Sequence, residues 1–150
     1  RIRLNGDEIR FYHSDQTWGE FSNLSQHSIF IDAINWQTVE HYYQAQKFID
    51  IELKEKIRLS KTPTLAKITA AKMKNLRRAN WAELKEGIML KALRGKFAQH
   101  PELAKLLLST SQKRIVESTS NDAFWGESLD GIGQNRLGES LMLVRTELEK

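Results

Sequence analysis

Val39-Glu40-His41-Tyr42-Tyr43-Gln44-Ala45-Gln46-Lys47-Phe48 is the stretch from which the rest of the chain can be read. Thr38 precedes it, and a threonine there caps a helix by accepting backbone N–H groups, so a helix is predicted through Phe48. On that helix Glu40, Tyr43, Gln44 and Lys47 fall at i, i+3, i+4 and i+7 and share one stripe. Tyr42 and Phe48 lie off the stripe, toward the core. A helix built only for packing would keep its carboxylate, lysine and amides in solvent. A polar stripe beside several aromatics is instead what a pocket wall needs to hold a planar ring near a carboxylate.

From Gln37 onward the pattern is helical and largely stays so. A second helix is predicted over about 51–59. Thr62 caps a third, with Pro63 at its first position, running to about Asn75. A fourth covers roughly 79–97, with Trp81, Leu84, Ile88 and Leu93 among its apolar positions. Pro101 breaks the pattern and starts a fifth helix to about Leu108. The last helix carries Leu137, Leu141, Val144 and Leu148 as one apolar stripe. Strand signals occupy 9–12 and 28–36, the second reading as strand, turn, strand, and Ile115–Ser118 has the makings of a short strand. The expected fold is mainly α: one compact domain over residues 1–150, with a few short β-strands near the N-terminus.

Composition narrows the function classes. The chain has 150 residues, 40% hydrophobic and 28% charged, as in an ordinary globular protein. No apolar run approaches the roughly 20 residues of a membrane span, so no membrane partner is expected. No signal peptide is visible at Arg1, and a cytoplasmic location is the default expectation. The absence of Cys excludes disulfides and thiolate metal sites. The net charge is +4, unevenly spread: Lys56, Arg58, Lys61, Lys67, Lys72, Lys74, Arg77 and Arg78 fall within 56–82 with no acid among them. Such a block suits an anionic ligand, phosphate or nucleic acid, or is simply a solvated helix face.

A second segment carries chemistry. Ser120-Asn121-Asp122-Ala123-Phe124-Trp125-Gly126 leads into Asp130-Gly131-Ile132-Gly133-Gln134-Asn135-Arg136-Leu137-Gly138. A glycine-rich loop entering a helix presents backbone N–H groups that suit a phosphate. It is not a dinucleotide fingerprint, because Arg136 stands at the third glycine's place, nor a P-loop. Read as structure alone, it is a glycine-bearing turn with Asn135 as N-cap. Trp125, taken as exposed among polar loop neighbours, either covers the core or stacks on a base or sugar. Upstream, Trp18-Gly19-Glu20-Phe21-Ser22-Asn23-Leu24-Ser25 mixes an aromatic, a carboxylate and an amide without periodicity. There Asn23 caps a turn or binds a ligand, and Glu20 reads equally as surface.

Other chemistries find little support. The four His lack metal-ligand spacing, and His41, on another side of its helix from Glu40, reads as structural. There is no G-x-S-x-G elbow and no nucleophilic Cys. Carboxylate chemistry remains, with Glu40 and Asp122 as the leading acids.

Taken together these segments resemble the YbiA-like, or NADAR, family. The resemblance rests on Phe21-Ser22-Asn23-Leu24, on Trp36-x-x-Val39-Glu40-His41-Tyr42-Tyr43-Gln44-Ala45-x-Lys47-Phe48 and on Asp122-x-x-Trp125-Gly126. It continues through Gly131-x-Gly133-x-Asn135-x-Leu137-Gly138 and Leu141-Met142-x-Val144-Arg145. Trp81, Met89 and Ala92-Leu93-x-x-Lys96-Phe97 fit the family's middle region. The match runs in order over roughly residues 10 to 148. Leu24 replaces a more usual Phe, a conservative apolar change.

The resemblance implies a mainly helical N-glycosidase that hydrolyses phosphorylated riboflavin-pathway ribosylamines. Related members remove ADP-ribose from modified guanine in nucleic acid, and a non-catalytic ADP-ribose-binding module is the remaining alternative. On the implied scheme Glu40 activates water or steadies an oxocarbenium-like state, and Asp122 serves as an acid or a ribose-hydroxyl ligand. Trp125 stacks on the leaving base, while Lys47, Asn135 and the Gly131–Gly133 amides hold phosphate or ribose. Glu20, Asn23, Tyr43, Gln44, Trp81 and Gly126 complete the expected substrate-binding set. The scheme requires no metal or other cofactor.

Overall fold

Thr38 behaves as its sequence position predicts. Its hydroxyl accepts the His41 amide, and α1 (Val39–Ala45) starts there. The structure is a computed structural model and describes residues 8–150, so Arg1 lies outside the described part. The chain divides into two units.

The unit formed by Gln26–Lys96 begins with a hairpin, β2 (Ile29–Ile31) paired antiparallel with β3 (Ile34–Trp36). Asp32 and Ala33 make its two-residue turn, both at positive φ, 53° and 65°. This is the turn class whose twist matches that of the strands it joins. After α1 come α2 (Ile51–Arg58) and α3 (Pro63–Lys72), both packed against α1. Asp50 caps α2 through the Glu52 and Leu53 amides, and Thr62 caps α3 through Leu65. Two small buried residues, Ala66 and Ala70, form the inner face of α3. A 3-10 turn, Lys74–Leu76, precedes α4 (Trp81–Gln99), which carries the chain out of this unit after Lys96.

The other unit comprises the described residues through Ser25 together with Phe97–Lys150. It holds β1 (Glu8–Phe11), a 3-10 turn Gly19–Phe21, α5 (Pro101–Ser109), β4 (Arg114–Glu117) and α6 (Arg136–Leu148). β1 pairs with β4 in parallel, Ile9 opposite Ile115 and Phe11 opposite Glu117. α6 packs on β4 and on α5. The strands are therefore not confined to the N-terminal region: β4 lies about a hundred residues downstream of its partner. A parallel pair needs a long crossover, and local sequence does not announce its partner.

Around this ladder sits an ion cluster that periodicity does not reveal. Glu8 and Glu127 are both buried. Arg10 donates to Glu8 at 2.9 Å and Arg114 to Glu127 at 3.0 Å, while Arg114 also lies 3.3 Å from Glu8. Two carboxylates and two guanidiniums thus neutralise one another, and the pairing holds the Arg114 guanidinium above its ordinary pKa, chiefly through Glu127. Phe21 is fully buried, stacked on Trp18 at 5.7 Å and edge-on to Phe11 at 6.0 Å.

Several boundaries shift. α1 ends at Ala45 rather than Phe48, although Phe48 is buried as expected. α3 stops at Lys72, short of Asn75, and Leu148 is only half-buried at the end of the α6 stripe. Among the described residues no helix is long and apolar enough to cross a membrane.

Candidate active site

Every residue of α1 is buried, Glu40 and Gln44 included. The predicted polar stripe is therefore not a solvent face. Gln44 Nε2 donates to Glu40 Oε2 at 2.6 Å. The Lys47 ammonium lies 5.5 Å from the centre of the Tyr43 ring, within cation–π range. Tyr43 in turn meets buried Trp81 edge-on at 5.2 Å. Glu40, Tyr43, Gln44, Lys47 and Trp81, five of the sequence candidates, thus come together in one unit.

The electrostatics follow from burial. Desolvation lowers the Lys47 pKa; the Glu40 carboxylate opposes that shift, and Arg77, Lys67 and Lys85 add to it. So two residues of the 56–82 block, with Lys85 just beyond it, act on a cation that also feels a buried carboxylate. Most of the 56–82 block is itself exposed; its Arg58 pairs with Glu55 and its Arg78 reaches Asn80 at 3.2 Å.

One atom of the stripe is left over. Gln44 Oε1 is buried and accepts no hydrogen bond, just as buried Trp36 Nε1 donates none. A buried polar atom without a partner costs about 1–3 kcal/mol, so it is rare and calls for a reason.

His41 is structural, as its position on the helix predicts. It is fully buried; Nε2 lies 2.9 Å from Ser60 O and Nδ1 2.8 Å from Thr38 Oγ1. A carbonyl only accepts, so Nε2 carries the proton and the Thr38 hydroxyl donates to Nδ1. Burial lowers the His41 pKa, against the pull of the Ser60 carbonyl.

The remaining candidates lie in the other unit. Glu20 is exposed on its 3-10 turn, and Asn23 is half-buried two residues beyond that turn. Asp122 is exposed; its Oδ1 accepts the Phe124 and Trp125 amides at 3.0 and 2.9 Å, and its carbonyl accepts the Gly126 amide. It therefore forms the turn that sets Trp125. Trp125 is only 9% exposed, which corrects the expectation of an exposed ring. Its backbone is held from both sides, by Asp122 and by the Leu137 amide donating to its carbonyl.

The glycine-bearing segment is closely constrained. Gly126 has no room for a Cβ, which would stand 2.4 Å from Thr119 Cγ2. Gly133, at φ 128°, passes too close to the Gly126 carbonyl for any side chain. Gly131 is exposed at φ 87°, and its amide donates to Ser128 O, so this N–H offered to a phosphate is engaged within the loop. Asn135 is fully buried in the left-handed region, φ 50°, and makes no side-chain cap bond. Its side chain bridges to β4 instead: Nδ2 donates to Ile115 O at 2.8 Å and Oδ1 accepts Glu117 N at 3.0 Å. Both ends of the amide are thereby occupied. A cavity of about 550 Å³ borders this loop, lined by Tyr12, Ser118–Asn121 and Ser128–Asp130. None of the sequence candidates lines it. Among the described residues no three His, Cys, Asp or Glu side chains gather as metal ligands would.

Comparison with known proteins gives a consistent picture. A family model described as NADAR domain matches residues 10–149. The chain is 45% identical over 140 residues to N-glycosidase YbiA of Escherichia coli (strain K12), covering 93% of this chain and 88% of that one. It is 37% identical over 150 residues to Riboflavin biosynthesis protein VVA0006 of Vibrio vulnificus (strain YJ016), of which it spans 41%. The NMR structure of E. coli YbiA superposes with a TM-score of 0.88 at 42% identity, over 99% of this chain and 88% of that one.

Proposed function

The chain belongs to the NADAR domain family and is a hydrolase of N-glycosyl bonds; from that premise we propose that it cleaves the bond between ribose C1′ and a nitrogen of a phosphorylated aminopyrimidine ribosylamine of riboflavin biosynthesis. The relative named for riboflavin biosynthesis supports this substrate class. The observation that carries the chemistry is Glu40: a carboxylate buried on a helix, aligned by the Gln44 amide, with the Lys47 cation two residues past the helix end acting on it.

Breaking C1′–N puts positive charge on the sugar. A fixed carboxylate stabilises that charge and accepts a proton as water forms the new C1′–O bond. The proton lost from water balances the one taken up by the departing nitrogen. Lys47 is the phosphate-facing cation in this scheme, and Tyr43 and Trp81 supply a flat apolar wall. The test is chromatographic: purified protein incubated with the ribosylamine phosphate releases free aminopyrimidine, and Glu40→Gln protein does not. Equal release by both removes Glu40 from the mechanism.

A second reading is ADP-ribosylated guanine in nucleic acid. It is favoured by the cations Lys67, Arg77 and Lys85 that act on Lys47. A polymer bound through several phosphates gives a rate that falls steeply with salt, whereas a small metabolite gives a shallow dependence.

A further inference from the structure

Gln44 Oε1 is a buried acceptor with no partner, and its position is not arbitrary. The other end of the same amide is committed to Glu40 Oε2 at 2.6 Å. Rotating the amide by half a turn would give up that bond and set its carbonyl oxygen against a carboxylate oxygen. With Nε2 bonded to Glu40, the amide is held with Oε1 turned away from that carboxylate oxygen. An acceptor held in this way finds no partner within the chain, so its donor comes from outside it, as a bound ligand's hydroxyl would.

We propose that Gln44 Oε1 is a specificity-determining acceptor that takes the hydroxyl on the ribosyl carbon next to C1′. This rests on the role of Glu40 given above. A carboxylate that stabilises a cation at C1′ lies within a few ångströms of that carbon, and the 2-hydroxyl is the nearest donor that stays with the sugar. Hydrogen bonds to that hydroxyl strengthen as the oxocarbenium-like state forms. The same amide then aligns the carboxylate with one end and reads the sugar with the other. A site of this kind separates ribosyl from 2-deoxyribosyl ligands through one side chain.

The test is calorimetric binding of ribose 5-phosphate and 2-deoxyribose 5-phosphate to wild-type protein and to Gln44→Met, with thermal melts to verify folding. Wild type is expected to bind the ribosyl form about tenfold more tightly. Gln44→Met is expected to bind the two sugars within about twofold, because it has lost the acceptor. A residue that only holds Glu40 would change both affinities alike and leave their ratio intact. If Gln44→Met does not fold, Gln44→Asn retracts the amide by one carbon and is expected to show the same loss of discrimination. Equal binding of the two sugars by wild type, a ratio preserved in the variant, or binding of neither sugar overturns the proposal. Loss of discrimination in a protein that releases no base from a ribosylamine would instead overturn the reaction assigned above and leave the acceptor role standing.

Discussion

Gln44 Nε2 donates to Glu40 Oε2 across 2.6 Å, one turn of α1 apart and with both side chains buried. The carboxylate is thereby held in one orientation by its own helix, the preorganisation that the role proposed for Glu40 calls for. Glu40→Gln keeps the size of the side chain and removes its charge. It is expected to leave ligand affinity within a few-fold and to lower kcat by about 10²–10⁴. Single-turnover base release measures the second effect, and titration of a sugar phosphate measures the first.

Lys47 is charged in a setting that disfavours the charge, since desolvation dominates the lowering of its pKa. A lysine whose folded-state pKa is depressed binds its proton less tightly than in the unfolded chain. The charged form therefore opposes folding at neutral pH, and stability rises only as pH climbs past the folded-state pKa. Lys47→Met is expected to melt about 1–3 °C higher than wild type and to lose phosphate-dependent binding. A lower melting temperature would show that its contacts with Tyr43 and Glu40 outweigh the desolvation.

His41 sets an acid limit. Its pKa is lowered by burial from the ordinary 6.5. The unfolded chain thus takes up a proton that the folded chain refuses, and stability falls as pH drops below about 6.5. Melting temperature is expected to decline between pH 7 and pH 5. His41→Gln, which loses the bonds to Thr38 and Ser60, is expected to be less stable at pH 7 but flatter across that range. An equal slope in the two proteins would assign the acid loss to other groups.

Ala33 occupies the left-handed region in the β2–β3 turn, at φ 65°. A Cβ there costs about 1–2 kcal/mol, which glycine avoids at the expense of extra freedom in the unfolded chain. Ala33→Gly is expected to stabilise by about 0.5–1 kcal/mol in urea unfolding. An unchanged or lower midpoint would show that the turn carries no such strain.

Asn135 spends both ends of its amide on β4. Asn135→Ala leaves a strand carbonyl and a strand N–H without partners and is expected to cost about 2–4 kcal/mol. Gly138→Ala is expected to be as damaging, because a Cβ there would stand 2.1 Å from the Ile115 carbonyl. Denaturant midpoints measure both. If activity falls in Asn135→Ala while stability is unchanged, Asn135 is a ligand group rather than a clamp.

The legible and illegible parts of the molecule divide by distance along the chain. Thr38 and Thr62 were readable as helix starts because a cap acts on amides two or three residues away. The stripe Glu40–Lys47 was readable because helical spacing alone puts those residues on one side. Trp125 was misread as exposed because the turn at Asp122 and the tie from Leu137 are not visible in its polar neighbours. Asn135 looked like a cap, yet its partners lie about twenty residues upstream, in β4.

By itself, then, the sequence determined the helices to within a few residues, the Thr38 and Thr62 caps, the polar stripe begun by Glu40 and the family blocks, all of them short-range or ordered patterns. Tertiary structure alone decided that β1 joins β4, that Glu8 and Glu127 share two arginines, and that the stripe is buried with one acceptor of Gln44 unanswered. Those outcomes depend on which distant groups meet once water is excluded. A side chain's cost or use there is set by the partners that folding brings to it rather than by its neighbours in the chain.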